Sequence, residues 1–194
     1  ATISNFNGFG ISCNNFSDGS IDLLISGGYT PYTYTWTASN GTNLSAVNAP
    51  NLTGLASGSY TVVITDATGN CSITQSYTIT EPTAISLSGT TSDYNGFGVS
   101  AFNAADGSID LTVTGGIDTK NYTYSWTTSN GTIPSGQETF EDLSGLTEGT
   151  YTVIVTDDNN CFETASFTLS EPLELLISEV AASHQDVDCF GDST

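Results

Sequence analysis

Carboxylates and thiols are the side chains in this sequence best suited to chemistry. Asp18 closes a polar loop that begins at Asn14, Glu81 stands just before Pro82, and Asp157-Asp158-Asn159-Asn160 is a dense run of oxygen donors. Hard oxygen ligands drawn from several segments are what a calcium ion requires. Aspartate and asparagine are also good turn formers, which accounts for the same residues without a metal. The four cysteines, Cys13, Cys71, Cys161 and Cys189, suit an oxidising, extracellular setting. None belongs to a C-x-x-C pair, so zinc and dithiol redox chemistry have little support. Catalysis has less. His184 has no partnered nucleophile, Lys120 falls in a loop, and the many serines and threonines lack a base in any recognisable motif. The pair Asp18/Asp22 returns as Asp106/Asp110, but a turn aspartate followed by glycine explains it.

The bulk charge narrows the partners. The net charge is −20, from 21 carboxylates against one lysine and no arginine. Phosphate binding needs clustered Lys or Arg, so a nucleic-acid partner is excluded as a working reading, and anionic lipid is disfavoured. No apolar run is long enough to insert in a membrane as a helix. Residues 1–92 hold four of the carboxylates and residues 93–194 the other seventeen. Such a chain repels itself and attracts cations. Self-made isopeptide cross-links need a lysine in each domain, and the first half has none.

What positions these groups is a repeat. Asn7-Gly-Phe-Gly-Ile-Ser12 returns as Asn95-Gly-Phe-Gly-Val-Ser100, and Asp18-Gly-Ser-Ile-Asp-Leu23 returns unchanged as Asp106 to Leu111. Tyr32-Thr-Tyr-Thr-Trp36 matches Tyr122-Thr-Tyr-Ser-Trp126, and Gly58-Ser-Tyr60 matches Gly149-Thr-Tyr151. The unit therefore recurs every 88 to 91 residues and closes on Glu-Pro, at Glu81-Pro82 and Glu171-Pro172. The expected units are residues 1–82, residues 83–172 and the start of a third over residues 173–194. The first lacks the strand that Ala84 to Ser88 supplies to the second. The chain thus reads as a piece of a longer array.

Within each unit the apolar residues alternate, which predicts strands. Ile21, Leu23 and Ile25 share one face, as do Tyr32, Tyr34 and Trp36, then Tyr60, Val62 and Ile64, then Ile73, Tyr77 and Ile79. Gly27-Gly28, Asn40-Gly41 and Thr68-Gly69-Asn70 supply turns. Trp36 and Trp126 hold the place where a sandwich keeps its core tryptophan, and Leu55-x-x-Gly58-x-Tyr60 has the form of a tyrosine corner, repeated at Tyr151. No segment has helical periodicity. The expected fold is all-β: tandem immunoglobulin-like β-sandwich repeats.

These motifs resemble the repeats of the SprB gliding-motility adhesins of flavobacteria. The likeness rests on the Cys13-x₄-Asp18-Gly-Ser-Ile opening, Gly27-Gly28 followed by Tyr32-Thr-Tyr-Thr-Trp36, Gly58-x-Tyr-Thr-Val-x-Ile-Thr-Asp66, and the closing Cys71 to Glu81-Pro82. It implies a long cell-surface filament, exported by type IX secretion and moved along the cell to grip a substratum. The second unit departs from the pattern with Ala101 where the first has Cys13.

The sandwich fold then relates the thiols and carboxylates. The loop between the first two strands lies at the lower pole of an immunoglobulin-like unit and the last hairpin at the upper pole. A strand of about seven residues separates those poles by roughly 23 Å. A disulfide spans only about 4.4–6.8 Å between Cα atoms. Cys13 to Cys71 within one unit is therefore awkward, whereas Cys13 to Cys161 would staple the first unit to the second. Free thiols and pairing between molecules are the alternatives. The same stacking would bring Asp18, Glu81, Asp157 and Asp158 to one junction, the expected calcium site. Aromatic stacking on sugar rings is a further possibility, but both tryptophans occupy the same slot in their units, as core residues do.

The function these readings favour is a non-enzymatic, extended stalk of a secreted cell-surface adhesin. Its partners would be the neighbouring repeats and a surface polysaccharide or other substratum. The alternative is an accessory carbohydrate-binding array of a secreted enzyme.

Overall fold

A computed structural model describes residues 1–117 and 122–178. Lys120, His184, Cys189 and most of the expected third unit lie outside the described residues. Twelve strands and no helix are formed among those described. The first unit holds β1 (Thr2–Ile3), β2 (Gly19–Asp22), β3 (Thr33–Ala38), β4 (Asn51–Leu55), β5 (Gly58–Thr65) and β6 (Ser72–Ile79). The second holds β7 (Thr83–Thr91), β8 (Gly107–Gly116), β9 (Thr123–Thr128), β10 (Leu143–Leu146), β11 (Gly149–Thr156) and β12 (Phe162–Leu169).

Each unit folds as two three-stranded antiparallel sheets, β1-β2-β4 against β3-β5-β6 and β7-β8-β10 against β9-β11-β12. This is the immunoglobulin arrangement, with the first, second and fourth strands of each unit on one sheet and the third, fifth and sixth on the other. Period-two alternation decides which side chains enter the space between them. Tyr60, Val62 and Ile64 of β5 are buried, as are Tyr151, Val153 and Val155 of β11, while the residues between them point outward. Trp36 and Trp126 are buried at the centre, and each satisfies its indole N–H by donating to a backbone carbonyl, Ala49 O and Phe140 O, both at 2.9 Å. The tyrosine corners form as well. The Tyr60 hydroxyl donates to Ala56 O and the Tyr151 hydroxyl to Thr147 O, each at 2.8 Å.

The repeated Asn-Gly-Phe-Gly motif builds the lower pole. Asn7 and Gly8 both have positive φ, 51° and 99°, the backbone of a tight primed turn, and this closes a bridge between Phe6 and Phe9. Gly10 then runs so close to the end of β6 that a Cβ would sit 2.8 Å from Ile79 Cγ2, and its N–H donates to Thr80 O at 2.9 Å. Only glycine permits that approach. Gly98 repeats the contact against Leu169 and Ser170.

Three strand expectations need correction. Ile73 is 59% exposed, although its alternation with Ile79 marks it as inward. Leu23 and Ile25 lie beyond the end of β2 and are only half-buried, and Tyr32 precedes β3. The cause is visible in the second unit. There β7 pairs along β8 from Thr83↔Gly116 to Thr91↔Ile109, whereas β1 pairs with β2 only at Thr2↔Asp22 and Ile3↔Ile21. Among the described residues the upper part of the first unit has no such partner, so Ile73 is left at the surface while Leu23 and Ile25 pack only partly against the core.

Candidate functional site at the repeat junction

The chemistry-bearing residues gather where the two units meet. β6 ends at Ile79 and β7 begins at Thr83, so Thr80, Glu81 and Pro82 form the whole connection. Proline fixes its own φ and restricts the residue before it, which makes the connection stiff. The loop after Ile11 grips it. The Glu81 carboxylate accepts the Asn15 N–H at 2.8 Å, and the Asn14 side-chain amide donates to Pro82 O at 3.0 Å. Asn15 has φ 60°, a left-handed conformation that asparagine tolerates. The second unit repeats the device at its own lower pole, where Glu171 accepts the Asn103 N–H at 2.7 Å.

The second unit offers its β11–β12 turn to this loop. Asp157 is buried beneath the turn and organises it. One carboxylate oxygen accepts the N–H groups of Asn159 and Cys161, both at 2.9 Å, and the other accepts the Ile117 N–H at 3.0 Å. Three N–H donors satisfy a carboxylate that burial would otherwise penalise. The turn so fixed projects Asn159 and Cys161 at the first unit. The Asn159 amide donates to Ser12 O at 3.0 Å, and the Asn7 amide donates to Asn159 Oδ1 at 2.8 Å. Cys13 and Cys161 are joined by a disulfide with Cα atoms 5.6 Å apart, across a sequence separation of 148 residues. Beside it lies a cavity of about 460 Å³ whose walls include Phe16, Pro82, Ile85 and Phe162.

The carboxylates expected to share a cation are not brought together. Asp18 turns back on its own loop and accepts both the N–H and the hydroxyl of Ser12. Glu81 is engaged by Asn15 and Asp157 by its turn, while Asp158 stands exposed with an interaction of its own. Among the described residues there is no group of three or more His, Cys, Asp or Glu side chains placed to hold a metal ion. The physical reason is that backbone N–H donors of tight loops compete for the same oxygens, and Asp18, Glu81 and Asp157 are each engaged by them. The equivalents elsewhere behave alike. The Ser100 hydroxyl and N–H hold the Asp106 carboxyl below the usual carboxylate range, and the Thr68 hydroxyl does so for Asp66, against the opposing effect of burial.

The remaining expected residues divide by place. Trp36, Trp126, Tyr60 and Tyr151 lie in the cores. Burial removes both indoles as platforms for a sugar ring. Cys71 is exposed and free at the upper pole of the first unit, as is Tyr29, 71% exposed, whereas its counterpart Ile117 is 3% exposed. Sequence reasoning missed the Asn7–Asn159 pair. Asn7 recurs as Asn95 inside a turn motif, so its role in the turn hid its role across the junction.

The family model for the SprB repeat matches residues 11–41 and residues 100–131, from the lower-pole loop through the tryptophan strand of each unit. No curated protein matches the chain. Among solved structures, the three N-terminal domains of the bacteriophage RB49 highly immunogenic outer capsid protein align at 21% identity with a TM-score of 0.47, over 82% of this chain. The chain spans 56% of the length of that structure. An amphioxus IgVJ-C2 molecule aligns at 11% identity and TM-score 0.30, over 78% of this chain and 94% of its own. The paired IG1 and IG2 domains of DIP-gamma align at 12% identity and TM-score 0.36, over 75% of this chain and 85% of theirs.

Proposed function

We propose that this chain, which carries two SprB repeats and belongs to the SprB-repeat proteins, is a non-enzymatic, force-bearing stalk segment of a cell-surface adhesin. SprB repeats occur in surface adhesins, and an immunoglobulin-like repeat is typical of non-catalytic scaffolds. The observation that carries the mechanical part is the route of the Cys13–Cys161 bond. It links the lower-pole loop of one unit to the last hairpin of the next, enclosing nearly all of both cores in one covalent loop. Tension applied at the two ends then passes from residue 13 to residue 161 without pulling on the strands between. Glu81-Pro82 and the Asn7, Ser12 and Asn159 contacts hold the same junction against bending. Export to the surface and a part in gliding follow from the family resemblance, and the oxidised cysteine pair suits that location.

Small-angle scattering and glycan-array binding on the isolated chain test this reading. A stalk segment gives an extended particle with no glycan affinity, and one that becomes more flexible when the disulfide is reduced. Specific glycan binding at low concentration, with no change in shape on reduction, would overturn the stalk reading in favour of a carbohydrate-binding array.

A further inference from the structure

A cavity opens beside the Cys13–Cys161 bond, and nothing in the load path needs it. Its volume of about 460 Å³ is that of a ligand site, and it lies between two folded units, where such sites are common. Phe16 reaches it from the first unit and Phe162 from the second, with Pro82, Ala84 and Ile85 completing the apolar wall. Both rings are more than half exposed, at 54% and 69%, and neither packs into a core.

The other copy of the repeat shows that neither phenylalanine is required by its loop. Phe16 falls at the place of Ala104, and Phe162 at the place of Ser72. The turns are the same with and without the rings. The Phe16 N–H donates to Cys13 O at 3.1 Å, as the Ala104 N–H does to Ala101 O at 3.0 Å. The Asp157 N–H donates to Cys161 O at 2.9 Å, as the Asp66 N–H does to Cys71 O at 3.0 Å. The backbone beneath both rings is also fixed. Asn15, next to Phe16, is held by Glu81, while Phe162 follows the disulfide directly and pairs with Thr156 in the ladder. Rings exposed without a structural need, on backbone that cannot drift, are preorganised for a partner.

Charge decides which partner. Glu163 stands in the wall, and the Asp157 carboxylate lies beneath Gly116, where a Cβ on that glycine would sit 2.9 Å from Asp157 Oδ2. No Lys, Arg or His side chain lies among the described residues, and the chain sets one lysine and no arginine against 21 carboxylates. An anionic ligand is repelled from such a place, and a second copy of this chain has a single lysine to bring to it. A foreign lysine or arginine suits it on two counts. Its alkyl stem can cover the apolar wall while its head meets a carboxylate or the face of a ring.

We propose that the junction cleft is a docking site for a basic, partly apolar peptide segment of another protein. A Lys or Arg stem and a neighbouring apolar side chain lie against Phe16, Ile85 and Phe162, and the cationic head meets Glu163. Because the walls come from both units, the site exists only where the two are held at this junction. The lower-pole loop of the second unit has Ala101 and Ala104 in place of Cys13 and Phe16, so it offers neither the staple nor the ring. The docking site rests on the geometry of the junction and does not depend on the chain bearing load.

The test uses the full oxidised chain with its free thiols alkylated. The probes are two capped peptides, Gly-Lys-Leu-Arg-Phe-Gly and the same sequence with Glu for Lys and Arg, titrated while carbon-13 NMR signals of the chain are followed. The basic peptide should saturate with a Kd below about 1 mM at low salt. It should shift Phe16, Ile85 and Phe162, leave both buried tryptophans unmoved, and bind more weakly as salt screens the charge. The acidic peptide should not bind. Phe16→Ala with Phe162→Ser takes the residues of the other copy, so the melting curve should stay unchanged while binding weakens about tenfold or more. Glu163→Gln should weaken it about two- to fivefold and reduce its salt dependence. Spermidine, a cation without apolar side chains, and a neutral chito-oligosaccharide should each fail to displace the peptide at equal concentration. A basic peptide that does not bind would overturn the proposal. So would binding indifferent to the two Phe substitutions, equal binding of the acidic peptide, or displacement by either competitor.

Discussion

Breaking the Cys13–Cys161 bond should change how far the chain can be stretched far more than it changes the folded structure. The bond shortens the load path by a separation of 148 residues. At about 3.4 Å per extended residue, that separation holds roughly 500 Å of contour length. In a chain pulled from its two ends with the bond intact, this length stays locked even when every strand has unfolded. Reduction, or Cys13→Ser with Cys161→Ser, releases it. Single-molecule optical tweezers read the difference directly. The oxidised chain should show a final contour length roughly 500 Å shorter than the double variant. The loop closure also restricts the denatured state, by about 5 kcal/mol for a loop of this size, so the denaturation midpoint should fall in the variant while the folded spectrum is retained. Equal contour lengths with and without reductant would refute the reasoning, because they would mean that no disulfide spans the chain between Cys13 and Cys161.

Other expectations are smaller and local. Tyr60→Phe removes the corner bond to Ala56 O and the donation from the Asn40 amide, and Tyr151→Phe the corner bond to Thr147 O and a longer contact with Thr132 O. Each should cost about 1–2 kcal/mol in urea denaturation, with no change in the slope. Trp36→Ala or Trp126→Ala empties the centre of a core and should cost about 3–5 kcal/mol, enough to unfold that repeat at moderate temperature. The carboxyls of Asp66 and Asp106 ionise below their ordinary 3.8 in the fold, so the unfolded chain takes up those protons first as pH falls. Their contribution should be intact above that value and be lost as pH drops through the lower folded one, with Asp106→Asn and Asp66→Asn flattening the acid limb of a pH-stability curve. Tyr124 is pushed up to about 12 by burial, reinforced by the nearby Glu141 carboxylate, from an ordinary 10.0. Stability should therefore decline as pH rises between those values, and Tyr124→Phe should blunt the decline.

Much of this architecture is legible in the residues because the repeat supplies an internal comparison. Trp36 with Trp126, and Tyr60 with Tyr151, hold equal places in two copies, and period-two alternation alone sends them inward. The choice of Cys13 with Cys161 needs only the length of a strand and the order of strands in a sandwich. Alternation fails where it depends on a partner the first unit does not have. Ile73 carries an inward pattern but is 59% exposed, and Leu23 and Ile25 pack only partly against their core, because the described residues of the first unit include no strand where β7 lies in the second. The carboxylates mislead for a different reason. Asp18, Glu81 and Asp157 cluster in an idealised stacking of poles, yet each is bound by loop N–H groups within a few residues or across the linker. Local loop geometry of that kind leaves no periodic trace. The Asn7–Asn159 contact is equally silent, since each residue already has a reason to be in its turn.

Mapping of disulfide-linked peptides from a non-reduced, thiol-blocked digest tests the central claim, that the units are joined chemically at their junction. The account predicts a linked pair containing Cys13 and Cys161, with Cys71 recovered in blocked form. A peptide joining Cys13 to Cys71 would place the bond inside one unit and contradict it.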